Sequence, residues 1–417
     1  MLNVLPASHS TADNARKIRV GFLNTHPIQY FAPLYAYLNR SDDLQVSAIY
    51  LSDYSVRGAQ DHAFGRVVKW DVDLLSGYEV RFVRGASSRS ETRGFFSTVV
   101  PAVWGEIRRS GLDALVVHGH SPAALLIGIA AAKTAGIPVF MRGETHLGLS
   151  RPSLKLQLRK LAMGTLYGRL DAMLAIGSAN AAFYRAMGVP DRRIFLTPYV
   201  VDNARFMETA RQSPEERAER RLQLGVADDR PIILYSAKFD ARKCPQDMLR
   251  AAAQLNAEGA IFQLAMIGSG ALEAELRTLA DQLAIRNVQF HGFVNQSDMP
   301  RIYGACDIFV LPSRDEPWGL AVNEAMCAGL PIVASSEIGC VPDLVKDGLN
   351  GYTFSAGDVT ALSGTLRRLI SDAELRGRMG TASRELISRW SFAEVAQGLR
   401  AALASVGISA RPKSLAA

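Results

Sequence analysis

What the chain lacks narrows the field first. It has only four cysteines, Cys244, Cys306, Cys327 and Cys340, and no two of them form a C-x-x-C pair. A disulfide framework is therefore excluded, and no His/Cys cluster has zinc spacing. Most of these cysteines lie in or beside apolar runs, as buried free thiols in a reducing compartment do. Met1 to Lys17 carries no apolar core of the secretory type. The longest apolar run, Ala123 to Ala132, is closed by Lys133 and is too short to cross a bilayer. There is no low-complexity block and no short-period repeat. These absences lead to an expectation of a cytoplasmic protein, or one held peripherally at the inner face of a membrane.

What is present is ordinary globular composition, 48% hydrophobic and 21% charged. A chain of 417 residues is too long for one core and suggests two domains. The net charge of +7 suits phosphates, nucleic acid or an anionic membrane, but it is spread too thinly to choose among them.

Strand-like and helix-like segments alternate. Ile18–Asn24, Leu44–Leu51, Tyr78–Val83, Ala114–His118, Pro138–Arg142, Ala172–Ile176 and Ile194–Thr197 read as strands, several of them continuously apolar. The densely charged stretch Arg211–Arg221 reads as a polar helix or linker. Strands resume at Ile232–Ser236, Phe262–Ile267, Val288–Gly292, Ile308–Leu311 and Ile332–Ala334. The pattern predicts an α/β protein of two doubly wound halves, with a ligand in the cleft at the carboxyl ends of the strands. Helices follow over about Ala361–Ser388, a break falls at Trp390–Phe392, a last helix runs Ala393–Ala404, and the tail from Ile408 is expected to be loose.

One stretch carries the most chemistry. Ser313 to Glu324 places Glu316 and Glu324 eight positions apart, with Pro317 and Gly319 in a turn between them and a helix from Leu320 carrying the second. Strand, glycine turn and helix start present backbone N–H groups and a positive dipole end to an anion. Carboxylates on both sides suit sugar hydroxyls, which donate to them in charge-assisted bonds. The residues alone point to a phosphate-bearing sugar compound such as a nucleotide sugar.

Glu316 to Glu324 resembles the E-x7-E motif of the family 4 retaining glycosyltransferases, which have the GT-B fold, and Ala325–Ala334 resembles that family's usual continuation. The resemblance runs from about Ile18 to Ala404 and is specific in Lys238–Lys243 and Cys306–Ala334. It implies two Rossmann-like doubly wound domains facing a central cleft: a flexible tail 1–17, an acceptor domain 18–204, a donor domain 205–390, and a C-terminal helix 391–407 crossing back to the first domain. It also implies a retaining transfer of a sugar from a nucleotide-diphosphate sugar, most commonly a UDP-sugar; the lack of a zinc-spaced cluster leads to the expectation that no metal is needed. The acceptor would be a glycan, a lipid-linked glycan or a small molecule, in polysaccharide or envelope glycan biosynthesis. No cofactor is implied beyond the nucleotide sugar as co-substrate. Glu316 would hold donor sugar hydroxyls and Glu324 the ribose, with Pro317, Trp318, Gly319 and Leu320 on the donor side between them.

Other constellations fit around this motif. Lys238 and Lys243 flank a turn at a strand's carboxyl end, where two cations can neutralise a diphosphate as charge develops on the leaving group. The family usually has Arg and Lys there; Lys238 at the Arg position keeps the charge without bidentate geometry. Surface lysines in a loop are the plain alternative. Gly268 and Gly270 form a strand-to-helix turn like one bordering the family's donor site, though such turns also use glycine with no ligand. Gly292, Phe293 and Val294 resemble the loop against the base. His120, in Val116–His120, resembles the histidine beside the reacting sugar carbon, while His118 is expected to pack at the strand end. Arg142 and Glu144 are candidate acceptor or phosphate contacts. His26 follows the first strand and would face the acceptor, with Pro27 read as the first residue of a helix. Tyr199–Asn203 is assigned to the domain junction.

Asp71–Val72–Asp73 has the spacing of a metal-binding pair in another glycosyltransferase fold, but its polar surroundings favour a surface reading. The basic amphipathic stretch 151–170 suits either an anionic membrane surface or a core-packed helix. No aromatic-rich basic motif for nucleic acid is present. Two other functions remain open: a nucleotide-sugar epimerase or glycan phosphorylase of the same fold, and a non-catalytic phosphate-binding protein at a membrane surface.

Overall fold

The computed structural model describes residues 16–61, 66–86, 95–96, 100–149 and 162–409. The expected tail therefore lies almost wholly outside the described residues, as do most of the basic stretch 151–170 and the end of the chain. Within that stretch, residues 162–168 are helical.

Two parallel sheets organise the chain. The first has seven strands: β1 (Ile18–Asn24), β2 (Leu44–Tyr50), β5 (Glu79–Phe82), β6 (Ala114–His118), β7 (Val139–Arg142), β8 (Ala172–Ala175) and β9 (Ile194–Leu196), in the order β5-β2-β1-β6-β7-β8-β9. A short antiparallel hairpin, β3 (Ala59–Asp61) with β4 (Arg66–Val68), lies outside it. The second sheet has six strands: β10 (Ile232–Ser236), β11 (Gln263–Ile267), β12 (Val288–Gly292), β13 (Ile308–Leu311), β14 (Ile332–Ser335) and β15 (Gly351–Phe354), in the order β12-β11-β10-β13-β14-β15. Both orders reverse beside the first strand of their half, at β1/β6 and β10/β13. In such sheets that reversal opens a crevice at the strands' carboxyl ends.

The strands are short and apolar because helices cover both faces. β6, β7, β8, β11, β13 and β14 are buried along nearly their whole length. Each sheet has a separate apolar cluster on one face, around Leu115 and Met141 in the first and around Tyr235 and Met266 in the second. A third cluster is continuous between the halves, running from Phe22 and Tyr35 through Tyr199 and Trp318 to Phe309.

The chain passes between the halves twice. After β9, the Asp202 side chain caps the helix Asn203–Ala210. The charged stretch that follows is the helix Pro214–Gln223, opened by a Ser213/Glu216 capping box. Its Arg217 and Arg221 both pair with Asp307, which leads into β13. The return comes after the helices Val359–Ser371 and Ala373–Ile387. The helix Phe392–Ser405, opened by a Ser391/Glu394 capping box, then lies against β8, β9 and the helix Phe31–Asn39 of the first half. It sits so close that a Cβ at Gly398 would overlap the Leu196 carbonyl.

Three details differ from the sequence reading. The strand β15 and the β3–β4 hairpin had no strand-like signal, being four and three residues long with Gly351 opening the former. Pro27 is not a first helical residue, because residues 28–30 form a turn and the helix starts at Phe31.

Candidate functional site

The two sheets turn their strand ends toward a shared cleft holding a cavity of about 500 Å³. Its first wall carries His26, Ile28, Gln29, Tyr30, Tyr54 and Trp70; its second carries Lys238, Arg242, Lys243, Phe293, Gln296 and the segment around Glu316 to Glu324.

The lysine turn follows β10. Asp240 accepts bonds from the backbone N–H groups of Arg242 (2.9 Å) and Lys243 (3.3 Å), fixing a single 3-10 turn. Cys244 then takes a left-handed conformation (φ 49°) before Pro245 opens the next helix. The glycines of the neighbouring loop serve this turn by close approach. A Cβ at Gly268 would overlap the Ala237 carbonyl, and one at Gly270 would sit 2.5 Å from the Phe239 carbonyl oxygen. Gly268 and Gly270 do not line the cavity; they let the lysine turn lie flat against β11.

The acidic segment follows β13. The backbone of Glu316 accepts from Gly339 (3.1 Å), and Trp318 accepts from Cys340 (3.0 Å), so the loop 316–318 is held like an added strand. Gly319, at φ 94°, reverses the chain into the helix Leu320–Cys327. Gly319, Leu320 and Ala321, at that helix's start, line the cavity.

The Glu316 carboxylate contacts the Lys243 ammonium. Burial pushes Lys243 down to about 8, with Arg242 and Lys238 acting the same way and Asp240 opposing them. A touching carboxylate favours the charged form of an ammonium, against the effect of burial. The Glu316 carbonyl also accepts from His146 Nε2 of the first half at 3.1 Å.

Glu324 is only 4% exposed and is caged by donors. Its Oε1 accepts from Tyr30 Oη (3.0 Å) and Gln296 Nε2 (3.4 Å), and its Oε2 from Tyr303 Oη (2.9 Å). Arg205 donates to the Gln296 side-chain oxygen, which leaves that amide's N–H groups facing Glu324. Burial raises the Glu324 carboxyl, and these hydrogen bonds oppose the shift.

Two smaller cavities adjoin each other at the ends of β1, β6 and β7. One, of about 270 Å³, is lined by Asn24, His118, Arg142, Glu144 and Tyr199 among others. Arg142 is buried, its guanidinium over the rings of Tyr199 (5.1 Å) and Phe31 (5.4 Å), and its Nε makes no hydrogen bond among the described residues. Tyr199 donates to Glu144 at 2.7 Å, while burial raises the Glu144 carboxyl. His118 packs 4.4 Å from Phe31 and pairs with Tyr35 Oη at 3.1 Å. His120 lines the other cavity, of about 170 Å³, together with Glu144, Tyr167 and Tyr184.

Of the residues singled out in the sequence, Lys238, Lys243, Glu316, Gly319, Leu320, Glu324, Phe293, Val294 and His26 lie together on the 500 Å³ cavity. Arg142 and Glu144 gather on the 270 Å³ cavity. His120 is not on the same wall as Glu316. Gly292 and Pro317 do not line the cavity either; they only neighbour residues that do. Trp318 corrects the sequence reading outright. It is 2% exposed, its Nε1 donates to Asn323 (3.0 Å), and its ring lies against Trp390 (5.4 Å) and Tyr199 (6.2 Å). It packs the junction between the halves, although Glu316 and Gly319 on either side of it line the cavity.

Asp71 and Asp73 are spent on hydrogen bonds: Asp71 accepts from Ser297 across the cleft, and Asp73 accepts from Leu75 (3.0 Å) and Ser76 (3.1 Å) in its own turn. Tyr199–Asn203 lies at the junction. Asn323 donates to the Tyr199 carbonyl (2.9 Å), and Asn203 to the carbonyls of Ile387 (2.9 Å) and Trp390 (3.1 Å). Tyr30, Tyr54, Trp70 and His146 had no signal in the sequence, since nothing local marks a residue that meets the site only across the cleft, and Gln296 had none because it reaches Glu324 from a loop 28 residues away.

Comparison with known proteins fits this geometry. Residues 216–386 match the family of glycosyl transferases group 1, and residues 27–199 match the glycosyl transferase 4-like domain. EpsD of Bacillus subtilis, named as a glycosyltransferase, is 31% identical over 290 residues, covering 68% of this chain and 74% of that protein. The chain belongs to the group 1 glycosyltransferases. Further relatives of this glycosyltransferase include a GDP-mannose-dependent monoacylated alpha-(1-6)-phosphatidylinositol monomannoside mannosyltransferase of Corynebacterium glutamicum, 29% identical over 69% of this chain and 74% of that one. A D-inositol 3-phosphate glycosyltransferase of Thermobifida fusca is 27% identical over 80% of each chain. Among solved structures, Anabaena HepE in complex with UDP and glucose superposes with a TM-score of 0.70 at 18% identity, covering 93% of this chain and all of that one. The fold is GT-B, and the protein is a glycosyltransferase of that type.

Proposed function

We propose that this glycosyltransferase takes a sugar from a nucleotide-diphosphate sugar and transfers it with retention of configuration, without a metal ion. The observation that carries the reading is the 500 Å³ cavity. It brings three cations (Lys238, Arg242, Lys243) and a helix start at Gly319–Ala321 together with two carboxylates, Glu316 and Glu324, that suit hydroxyls. The diphosphate lies against the cations and helix start. Glu316 takes hydroxyls of the sugar, and Glu324 takes those of the ribose.

The acceptor enters from the first half, where the 270 Å³ cavity offers the buried Arg142 and the more exposed Glu144 beside the cleft. In the reaction, the bond from the sugar's anomeric carbon to the phosphate oxygen breaks. The acceptor oxygen bonds to the same face, and its proton passes to the departing phosphate. Negative charge grows on the diphosphate, where fixed cations count most. Glu316 and Glu324 are not a glycosidase pair: one is bound to Lys243 and the other is caged by tyrosines, so neither is poised as nucleophile or general acid.

HepE was crystallised with UDP and glucose, which supports a UDP-sugar, whereas the corynebacterial relative is named for GDP-mannose. Thermal unfolding against UDP, GDP and their sugars, with and without chelator, separates the two. A rise in melting temperature with one nucleotide, unchanged by chelator, supports the reading. No rise with any of them defeats it. Transfer without a metal then requires turnover in chelator, and retention requires that the product keep the donor's anomeric configuration.

A further inference from the structure

We propose that the Tyr30 hydroxyl and the vicinal diol of a nucleotide's ribose compete for Glu324, making Tyr30 a gate on the donor site that also sets discrimination between ribose and deoxyribose. This rests on the donor-site reading above and adds a residue to it. A carboxylate offers about four acceptor positions. Among the described residues three are taken: Tyr30 and Gln296 share Oε1, and Tyr303 holds Oε2. One position is left, and a diol donating two hydrogen bonds needs two, so one protein donor has to leave.

The three donors differ in how firmly they are held. Tyr303 is fully buried in the helix Met299–Ala305, in the same half as Glu324, and its ring packs on Phe309 at 5.9 Å. Gln296 is also buried there, and Arg205 holds both its carbonyl oxygen (2.9 Å) and its side-chain oxygen (3.2 Å). Tyr30 lines the cavity as Gln296 does, but it reaches across the cleft from the turn after β1 and is only half-buried. It is the donor that can withdraw without disturbing the second half. A ligand with one ribose hydroxyl can use the remaining position and leave Tyr30 in place.

The experiment compares Tyr30→Phe with the unaltered protein, by calorimetric titration with UDP, GDP and their 2′-deoxy analogues. Removing the hydroxyl frees one acceptor position on Oε1 at little cost in volume. The expected result is about tenfold tighter binding of whichever ribonucleotide the unaltered protein binds, with a change of twofold or less for its 2′-deoxy form. The preference for ribose therefore widens in the variant. Equal tightening of both forms overturns the competition, because it reports a general opening of the cleft. Unchanged or weaker ribonucleotide binding overturns it too, and would make Tyr30 a ligand-binding group. If the unaltered protein binds none of the four, the donor-site reading fails and this inference fails with it.

Discussion

The Lys243 ammonium rests against the Glu316 carboxylate, 73 residues further along the chain, on the wall of the cleft. The two side chains retain only 18% and 11% of their exposure. Removing one partner from such a pair leaves a poorly solvated charge, whereas removing both does not. Lys243→Met alone should lower stability by about 3 kcal/mol. The double variant Lys243→Met with Glu316→Gln should recover most of that loss while still failing to bind nucleotide. Urea unfolding of the three proteins beside nucleotide titration checks both halves of the expectation.

The glycine turn that supports Lys238 makes a second, purely steric prediction. Gly268→Ala forces a Cβ into the Ala237 carbonyl, while Gly292→Ala, also at positive φ, meets nothing within 4 Å. The second change should cost about 1 kcal/mol of left-handed strain. The first adds displacement of the loop and should cost about 3 kcal/mol together with weaker nucleotide binding. Equal midpoints in denaturant for the two variants would refute the supporting role of this loop.

Trp318 offers a contrast with its neighbours in the motif. Trp318→Phe leaves the buried Asn323 side-chain oxygen without its donor and should cost about 1–3 kcal/mol. Because the ring faces Trp390 and not the cavity, the nucleotide dissociation constant should stay within about twofold, or RT ln 2 ≈ 0.4 kcal/mol. A large loss of affinity at unchanged stability would return Trp318 to the donor site.

Acid should weaken the fold through His118. Burial, helped by Arg142, holds its imidazole well below the ordinary histidine value. The unfolded chain takes up a proton near pH 6.5 that the native state refuses, so this contribution to stability is intact above that pH and is lost as the pH falls below it. His146 and His291 are lowered by burial in the same direction. His118→Gln should flatten the fall between pH 7.5 and 5.5 without abolishing it, as read from urea midpoints. A slope unchanged by the substitution would mean that the native state takes up this proton as readily as the unfolded chain does.

Much of this was legible in the sequence, and the reasons are local. Strands such as Ile308–Leu311 are short apolar runs closed by turn residues, and the Glu316–Glu324 spacing sits between a strand and a helix that both announce themselves. The β15 strand was not legible because Gly351 and two half-buried residues give it no apolar run. The cage around Glu324 was not legible because Tyr30, Gln296 and Tyr303 converge from three separate elements, and no spacing records that. Trp318 misled because adjacency in sequence suggests a common face, whereas its ring turns into the junction while Glu316 and Gly319 face the cavity.

The helix Phe392–Ser405 returns the chain to the sheet on which it began, so the second sheet is an insertion within the first body. Two connections enter and leave that insertion, near Asp202 and near Trp390, and Asn203 ties them side by side through the carbonyls of Ile387 and Trp390. Entry and exit are thus fastened at one place, beside the apolar cluster that is continuous between the halves, so a cut in either connection would leave the insertion still held by the other.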